Sequence, residues 1–332
     1  MKAGLSGRNV ELIRRLRDYA VLIVLLAICA YLAVATDTFA SIRNLANVSE
    51  QISVVGIVAM GMTMLLISAN LDLSVGGQVA LIGVVIARVM NGVGIWPALV
   101  AAVLVGLVLG LVNGLIVTRL KVNSLVATLG SGLAFGGFAF LASGSQPIVL
   151  ADRALQAFMS GHFAAVPVPT WIFLAAIAFS AWFLHLTVGG RELFAIGANA
   201  EAARYAGIRV DRVALIPFVF TGVFCAFAAM ILTALLNTAS PNAGAQLPLQ
   251  VIAAVVVGGV SIAGGRGTIF MAVVGVLLIG VVGNGFNLLN IDPTYQNIFT
   301  GVIIVVAVAI DSAMRALGAR ASAPADSADP AP

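Results

Sequence analysis

The chain has 332 residues, 61% of them hydrophobic and only 9% charged, with a formal net charge of +4 and a mean hydropathy of +1.11. A soluble globular domain carries about 25% charged residues, so that class is excluded in favour of a polytopic membrane protein embedded in lipid. The 17 basic residues are scattered along short links rather than gathered into a patch, which argues against a nucleic-acid partner.

In chain order, residues 1–18 carry Lys2, Arg8, Arg14, Arg15 and Arg17 and read as a cytoplasmic basic N-terminus. Span 1 follows over Tyr19–Thr36 with no convincing small-residue cleavage site after it, so a retained span is expected rather than a cleaved signal. A polar external link holds Asp37, Arg43 and Glu50. Span 2 is expected from Gln51 to Ala69, and Asn70–Gly77 makes a tight turn into span 3, which ends near Arg88–Asn91. Span 4 covers about Ile95–Thr118, and a basic link, Arg119-Leu120-Lys121, leads to span 5 over about Val122–Leu141. Residues 143–169, punctuated by Pro147, Pro167 and Pro169, form a long polar stretch before span 6 at Trp171–Val188.

A charged island comes next, with Arg191, Glu192, Glu201, Arg204, Arg209, Asp211 and Arg212 between two long runs free of acidic and basic residues. Such a stretch must sit in water. Asn199–Ala206 is made of good helix formers, with Asn199 available as N-cap and Gly207 as the residue that stops the helix. Span 7 is expected at Val213–Leu236, a polar loop at Asn237–Gln246, and a short span 8 at Leu247–Ile262. A glycine-rich turn at 263–267 leads to span 9, ending near Asn290, and span 10 runs over Gln296–Ile310. The Ala/Pro/Ser/Asp-rich tail within 312–332 has the composition of a disordered segment.

This arrangement is an all-α bundle of about ten transmembrane helices occupying 19–311. With the N-terminus inside, fourteen of the 17 Lys and Arg residues fall on the cytoplasmic side; Arg43, Arg88 and Arg153 alone face out. Both termini and the loop 189–212 are then cytoplasmic. Span 2 starts outside and span 7 inside, so spans 2–5 and 7–10, if they are repeats, are inverted ones; the pairs Asn113-Gly114 and Asn284-Gly285 are the only sequence hint of this.

The chemistry-bearing residues are few. Asp72 with Ser74 opens span 3, either as an N-cap or as a polar element beside a transport route. Gly264-Gly265-Arg266-Gly267 lacks the Lys-Ser/Thr pair of a phosphate-binding loop and reads as a tight turn. His162 and His185 have no ligand neighbours at metal-binding spacing, and Cys29 and Cys225 lie inside apolar runs, so neither a metal site nor a disulfide is expected. No nucleophile–base pair suggests an enzyme, and no cofactor is implied. The apolar segments carry no ionisable group near their middles, which argues against proton coupling.

Four motifs in order resemble the ribose-type ABC sugar permeases. Asn70-Leu71-Asp72-Leu73-Ser74-Val75-Gly76 is similar to the family's GIDLSVG element, and Val112–Val117 to its NG segment. Gly190-Arg191 through Ala198-Asn199-Ala200-Glu201-Ala202-Ala203 and Gly207-Ile208 resembles its cytoplasmic loop, and Ile252–Gly259 with Ser261 and Gly264–Gly267 its glycine-rich block. Asn70 stands where the family usually has Gly, and the outer loop 143–169 departs from it.

The resemblance implies a permease subunit in the bacterial inner membrane. It would pair with a second permease chain, a homodimer in the simplest case, and work with a cytoplasmic ABC ATPase and a periplasmic sugar-binding protein. Glu201, Ala202, Ala203 and Gly207 match the EAA…G pattern whose short helix docks on the ATPase. A route for an uncharged sugar suits Asn and Gln, making Gln78, Asn113, Asn284 and Asn287 candidates, although polar residues that pack helices are an equal reading. Arg43, Arg88 and Arg153 are candidates for docking the binding protein. A branched-chain amino-acid or nucleoside permease of the same superfamily, and a self-contained secondary transporter, remain alternatives.

Overall fold

The computed structural model describes residues 7–292 and, beyond them, 294–296, 298, 299, 301, 302, 305, 306 and 309, with side chains from Val21 onward. The side chains of the basic N-terminal flank, much of span 10 and the tail 312–332 lie outside the described residues. Twelve helices dominate the rest.

Helix α1 (Gly7–Ala35) continues the basic flank directly into span 1. Helix α2 (Ile42–Ile67) starts nine residues before the expected Gln51, because Ser41 caps it by accepting a hydrogen bond from the Asn44 amide. Arg43 and Glu50 therefore stand on the first turns of a helix and not on a loop. Helices α3 (Val75–Val93) and α4 (Ile95–Thr118) are joined at Gly94, and α5 (Ser124–Ser143) follows a link capped by Asn123.

The stretch 143–169 is more ordered than its composition suggested. It holds strand β1 (Ile148–Val149), helix α6 (Ala154–Met159) and a hairpin of β2 (His162–Phe163) with β3 (Val166–Pro167). Next come α7 (Val168–Leu186), α8 (Val188–Ala198), α9 (Ala200–Tyr205) and α10 (Val210–Leu236). Strand β4 (Thr238–Ala239) pairs antiparallel with β1, and α11 (Leu247–Val257) and α12 (Ile269–Leu288) follow, with helical backbone again at the described residues beyond 293.

Among the described residues, seven helices are long and apolar enough to cross a membrane: α2, α3, α4, α5, α7, α10 and α12. The apolar part of α1 (Val21–Ala35) and α11 are shorter. The expected span 8 is thus an 11-residue helix, about 16 Å long and half of a bilayer core. The chain before it descends beside α3. A Cβ on Gly83 would sit against Ala239, and one on Gly76 would clash with the Gly244 backbone. Residues 239–244 thus run alongside roughly 10 Å of α3. Non-helical backbone at such depth is tolerated only when buried in protein.

Helices α2 and α10 form the centre of the bundle, with Ile57, Met60, Met62, Met64, Phe218 and Cys225 fully buried. Large apolar side chains on α4, α5 and α7, such as Leu104, Leu133 and Trp182, point outward, as lipid-facing residues do. The packing partners exchange in pairs. Helix α10 packs on α3 and α4 while α2 packs on α11 and α12, and α2 and α10 pack on each other. An internal two-fold relating the two halves would produce that pattern.

Candidate functional site

The charged island folds into two helices. Thr187 caps α8 by accepting from the Gly190 amide, and Leu193 and Ile196 bury its inner face. Asn199 then caps α9: its side-chain oxygen accepts from the amides of Glu201 at 3.0 Å and Ala202 at 2.9 Å. The other end closes as a Schellman turn, the Gly207 amide donating to the Arg204 carbonyl and the Ile208 amide to the Ala203 carbonyl, with Gly207 at φ +86°. Glu201 in the first turn and Arg204 in the last complement the helix dipole.

Of the four residues matched to the docking pattern, Ala203 is only 5% exposed and packs inward on the bundle; its small size serves the chain's own core. Glu201, Ala202 and Gly207 face out. So does Tyr205, 84% exposed, which the motif did not single out. An exposed tyrosine on a short capped helix was nevertheless visible in the sequence. Asp211 accepts from Lys121 and lies 3.5 Å from Arg204, tying the α4–α5 link to the foot of α10; at these exposures such pairs contribute little.

Helix α8 ends on a backbone junction. The Gly265 amide donates to the Ile67 carbonyl at 2.9 Å, and Gly197 lies so close that an added Cβ would fall on the Ile67 carbonyl oxygen and the Gly265 nitrogen. The end of α2, the end of α8 and the glycine turn between α11 and α12 thus meet at one point. The turn 264–267 has no phosphate-loop character; it supplies this junction.

Asp72 does more than cap. It is fully buried, and Ser74, which caps α3, makes no side-chain cap bond. One carboxylate oxygen accepts from the Ser74 amide at 2.8 Å and hydroxyl at 2.6 Å, the other from Gln78 Nε2 at 3.0 Å and Asn113 Nδ2 at 3.3 Å. Both amides also donate to Ser74 Oγ, at 2.7 and 2.6 Å. The amides of Leu71 and Leu73 donate to Ser124 and Thr128 of α5. Gln78 and Asn113 are therefore sealed in a polar cluster that binds the α2–α3 turn to α4.

The other two route candidates lie elsewhere. Asn284 exchanges reciprocal hydrogen bonds with Asn44, at 3.1 and 2.9 Å, locking α12 to the start of α2. With Asn287 it lines a cleft of about 190 Å³ between α2, α11 and α12, to which Gln51, Gln250 and Gln296 contribute three more carboxamides. Val48, Ile52 and Val276 form its apolar floor. Sequence reasoning missed Gln51 and Gln250; a signal was present in carboxamides recurring inside otherwise apolar spans. Arg43, Arg88 and Arg153 are all exposed. Arg88 Nε donates to the Ala142 carbonyl at 3.0 Å, and Arg153 flanks α6. Among the described residues, no three His, Cys, Asp or Glu side chains gather as a metal site.

Comparison with known proteins places this geometry. Residues 44–308 match the family described as "Branched-chain amino acid transport system / permease component". The chain is 36% identical to the "Ribose import permease protein RbsC" of Escherichia coli (strain K12), over 92% of this chain and 97% of that protein. It is 36% identical to the "L-arabinose transport system permease protein AraH" of the same strain, over 89% and 90%. To the "Galactose/methyl galactoside import permease protein MglC" of Haemophilus influenzae it is 35% identical, over 94% and 98%. No solved structure matches. With the family model covering most of the chain and relatives aligned along nearly their whole length, the chain belongs to this family of transport-system permeases.

Proposed function

We propose that this chain is the membrane subunit of an ATP-binding-cassette importer for a neutral monosaccharide, acting as a homodimer without chemistry of its own. It would lie in the bacterial inner membrane with ten spans and both termini cytoplasmic. A cytoplasmic ATPase dimer would dock on the loop 189–212, and a periplasmic sugar-binding protein on the face carrying Arg43, Arg88 and Arg153. ATP binding would close the ATPase, carry α9 with it, and rock the permease pair between its two openings.

The observation that carries this reading is α9, a six-residue helix closed at both ends that presents Tyr205 to the solvent. Fixed ends and an exposed aromatic anchor suit a groove on a partner. Tyr205→Ala should reduce co-purification of the ATPase about tenfold or more, with the permease reaching the membrane at normal levels. Gly207→Val, which places a β-branched residue at φ +86°, should cost about 1–2 kcal/mol in the terminal turn and lower sugar-stimulated ATP hydrolysis. Full ATPase recovery with Tyr205→Ala would refute docking through α9.

The family description names branched-chain amino acids, but the matched relatives are named for ribose, arabinose and galactose. The cleft supports the sugars: among the described residues its lining includes no charged side chain to meet an amino acid's ammonium or carboxylate. Topology has its own check. A cysteine placed at 145–165 should react with an impermeant maleimide from outside, and one at 195–205 should not; the opposite pattern would overturn the orientation.

A further inference from the structure

The cleft between α2, α11 and α12 joins features that a packing defect would not require. Five carboxamides converge on it: Gln51, Gln250, Asn284, Asn287 and Gln296. Each such group offers two donors and an acceptor in one plane, which matches sugar hydroxyls that both donate and accept. Asn284 is engaged with Asn44, and that bond fixes its wall. The side chains of Gln51, Gln250 and Asn287 have no hydrogen-bond partner among the described residues. Gln250 is half-buried, and its carboxamide is not among the atoms shut away from solvent, so it is open to whatever enters the cleft. An amide held at a cleft and engaged with no protein group can exchange its water for a solute's hydroxyl at little cost.

The size is restrictive. About 190 Å³ lies below the roughly 300–1,000 Å³ of sites for drug-sized ligands and suits a single small ring. The apolar floor gives such a ring's C–H face a surface. The position also matters: α2 and the turn after α11 are the elements pinned together at the Gly197 junction, so a movement of α8 and α9 reaches two of the cleft's three walls.

We propose that this cleft is a transient binding subsite for the transported sugar, with Gln51, Gln250 and Asn287 reading its hydroxyls. This rests on the importer reading above and names where in the chain the solute pauses.

The test is uptake of D-ribose, L-arabinose and D-galactose into proteoliposomes holding the whole importer with its ATPase and binding protein. ATP hydrolysis is followed in parallel. Gln250→Leu and Gln51→Leu should each lower uptake about tenfold, as expected when a hydrogen bond to the solute is removed, and should change the ratio between the sugars. Hydrolysis stimulated by the loaded binding protein should stay within about twofold. If Gln250→Leu fails to fold, Gln250→Asn, which withdraws the carboxamide by one methylene, should still lower uptake severalfold and shift the ratio. Unchanged uptake and ratio, or uptake and hydrolysis falling together, would overturn the subsite and leave the importer standing. A wild-type importer that moves none of the three sugars would overturn the sugar reading and the subsite with it.

Discussion

Gly197→Ala is expected to break the coupling between ATP hydrolysis and uptake with a single added methyl group. The new Cβ would clash with the Ile67 carbonyl oxygen and press on the Gly265 nitrogen. Neither is part of a flexible side chain, so backbone must separate. The separation would break the Gly265–Ile67 hydrogen bond and lift α8 from the end of α2. Overpacking of this kind costs about 1–3 kcal/mol against a total stability of about 5–15 kcal/mol, so the bundle survives. What disappears is the fixed relation between α9 and the helices that the proposed docking would move. Uptake should fall at least about tenfold, an effect of roughly 1.4 kcal/mol or more at this one junction. The melting temperature in detergent should drop by several degrees. A Gly197→Ala chain with wild-type uptake and melting temperature would refute this role for the junction of α2, α8 and the 264–267 turn.

The sequence made α9 legible because a helix this short is decided locally. Asn199 and Gly207 supply the caps by their own side chain and backbone, and no distant partner is needed. The long spans were legible for a similar reason, since hydropathy alone sets them. Helix α8 was not, because it buries only Leu193, Ile196 and Gly190 among charged neighbours and reads as ordinary loop. The start of α2 was obscured by Arg43 and Glu50, tolerated near its N-terminal end once Ser41 caps the turn.

The course of the chain leading into α11 was hidden for a subtler reason. The segment Thr238–Gln246 has the Asn, Pro, Gly and Ser content of an exposed loop, yet Ala239, Pro241 and Gly244 are buried against the bundle. Small and turn-forming residues are needed equally by an outer loop and by a chain threading between helices, so composition cannot separate the two. The clusters around Asp72 and the cleft depend on helices far apart in the chain. Asn113 lies 41 residues from Asp72, and Gln51 and Gln250, on helices far apart in the chain, line one cleft. Each of those residues alone reads as an unremarkable polar position.

Asp72 gives the sharpest contrast between substitutions. Asp72→Leu removes the acceptor used by the Ser74 amide and hydroxyl, Gln78 and Asn113, and leaves the donors buried where water does not reach. At about 1–3 kcal/mol for each stranded group, and with Ser74 Oγ still receiving both amides, the net loss should be about 3 kcal/mol or more. That consumes much of the stability of an ordinary fold. Little Asp72→Leu protein should survive in the membrane, and its melting temperature should fall by about 4 °C or more. Asp72→Asn behaves differently. Gln78 Oε1 and Asn113 Oδ1 are buried and unpartnered, so turning either amide over brings an acceptor to meet the new donor. The loss should stay near 1 kcal/mol, and expression and uptake should remain within about threefold of wild type. If Asp72→Asn is as damaging as Asp72→Leu, the carboxylate's charge, and not its hydrogen-bond acceptance, is what the cluster requires.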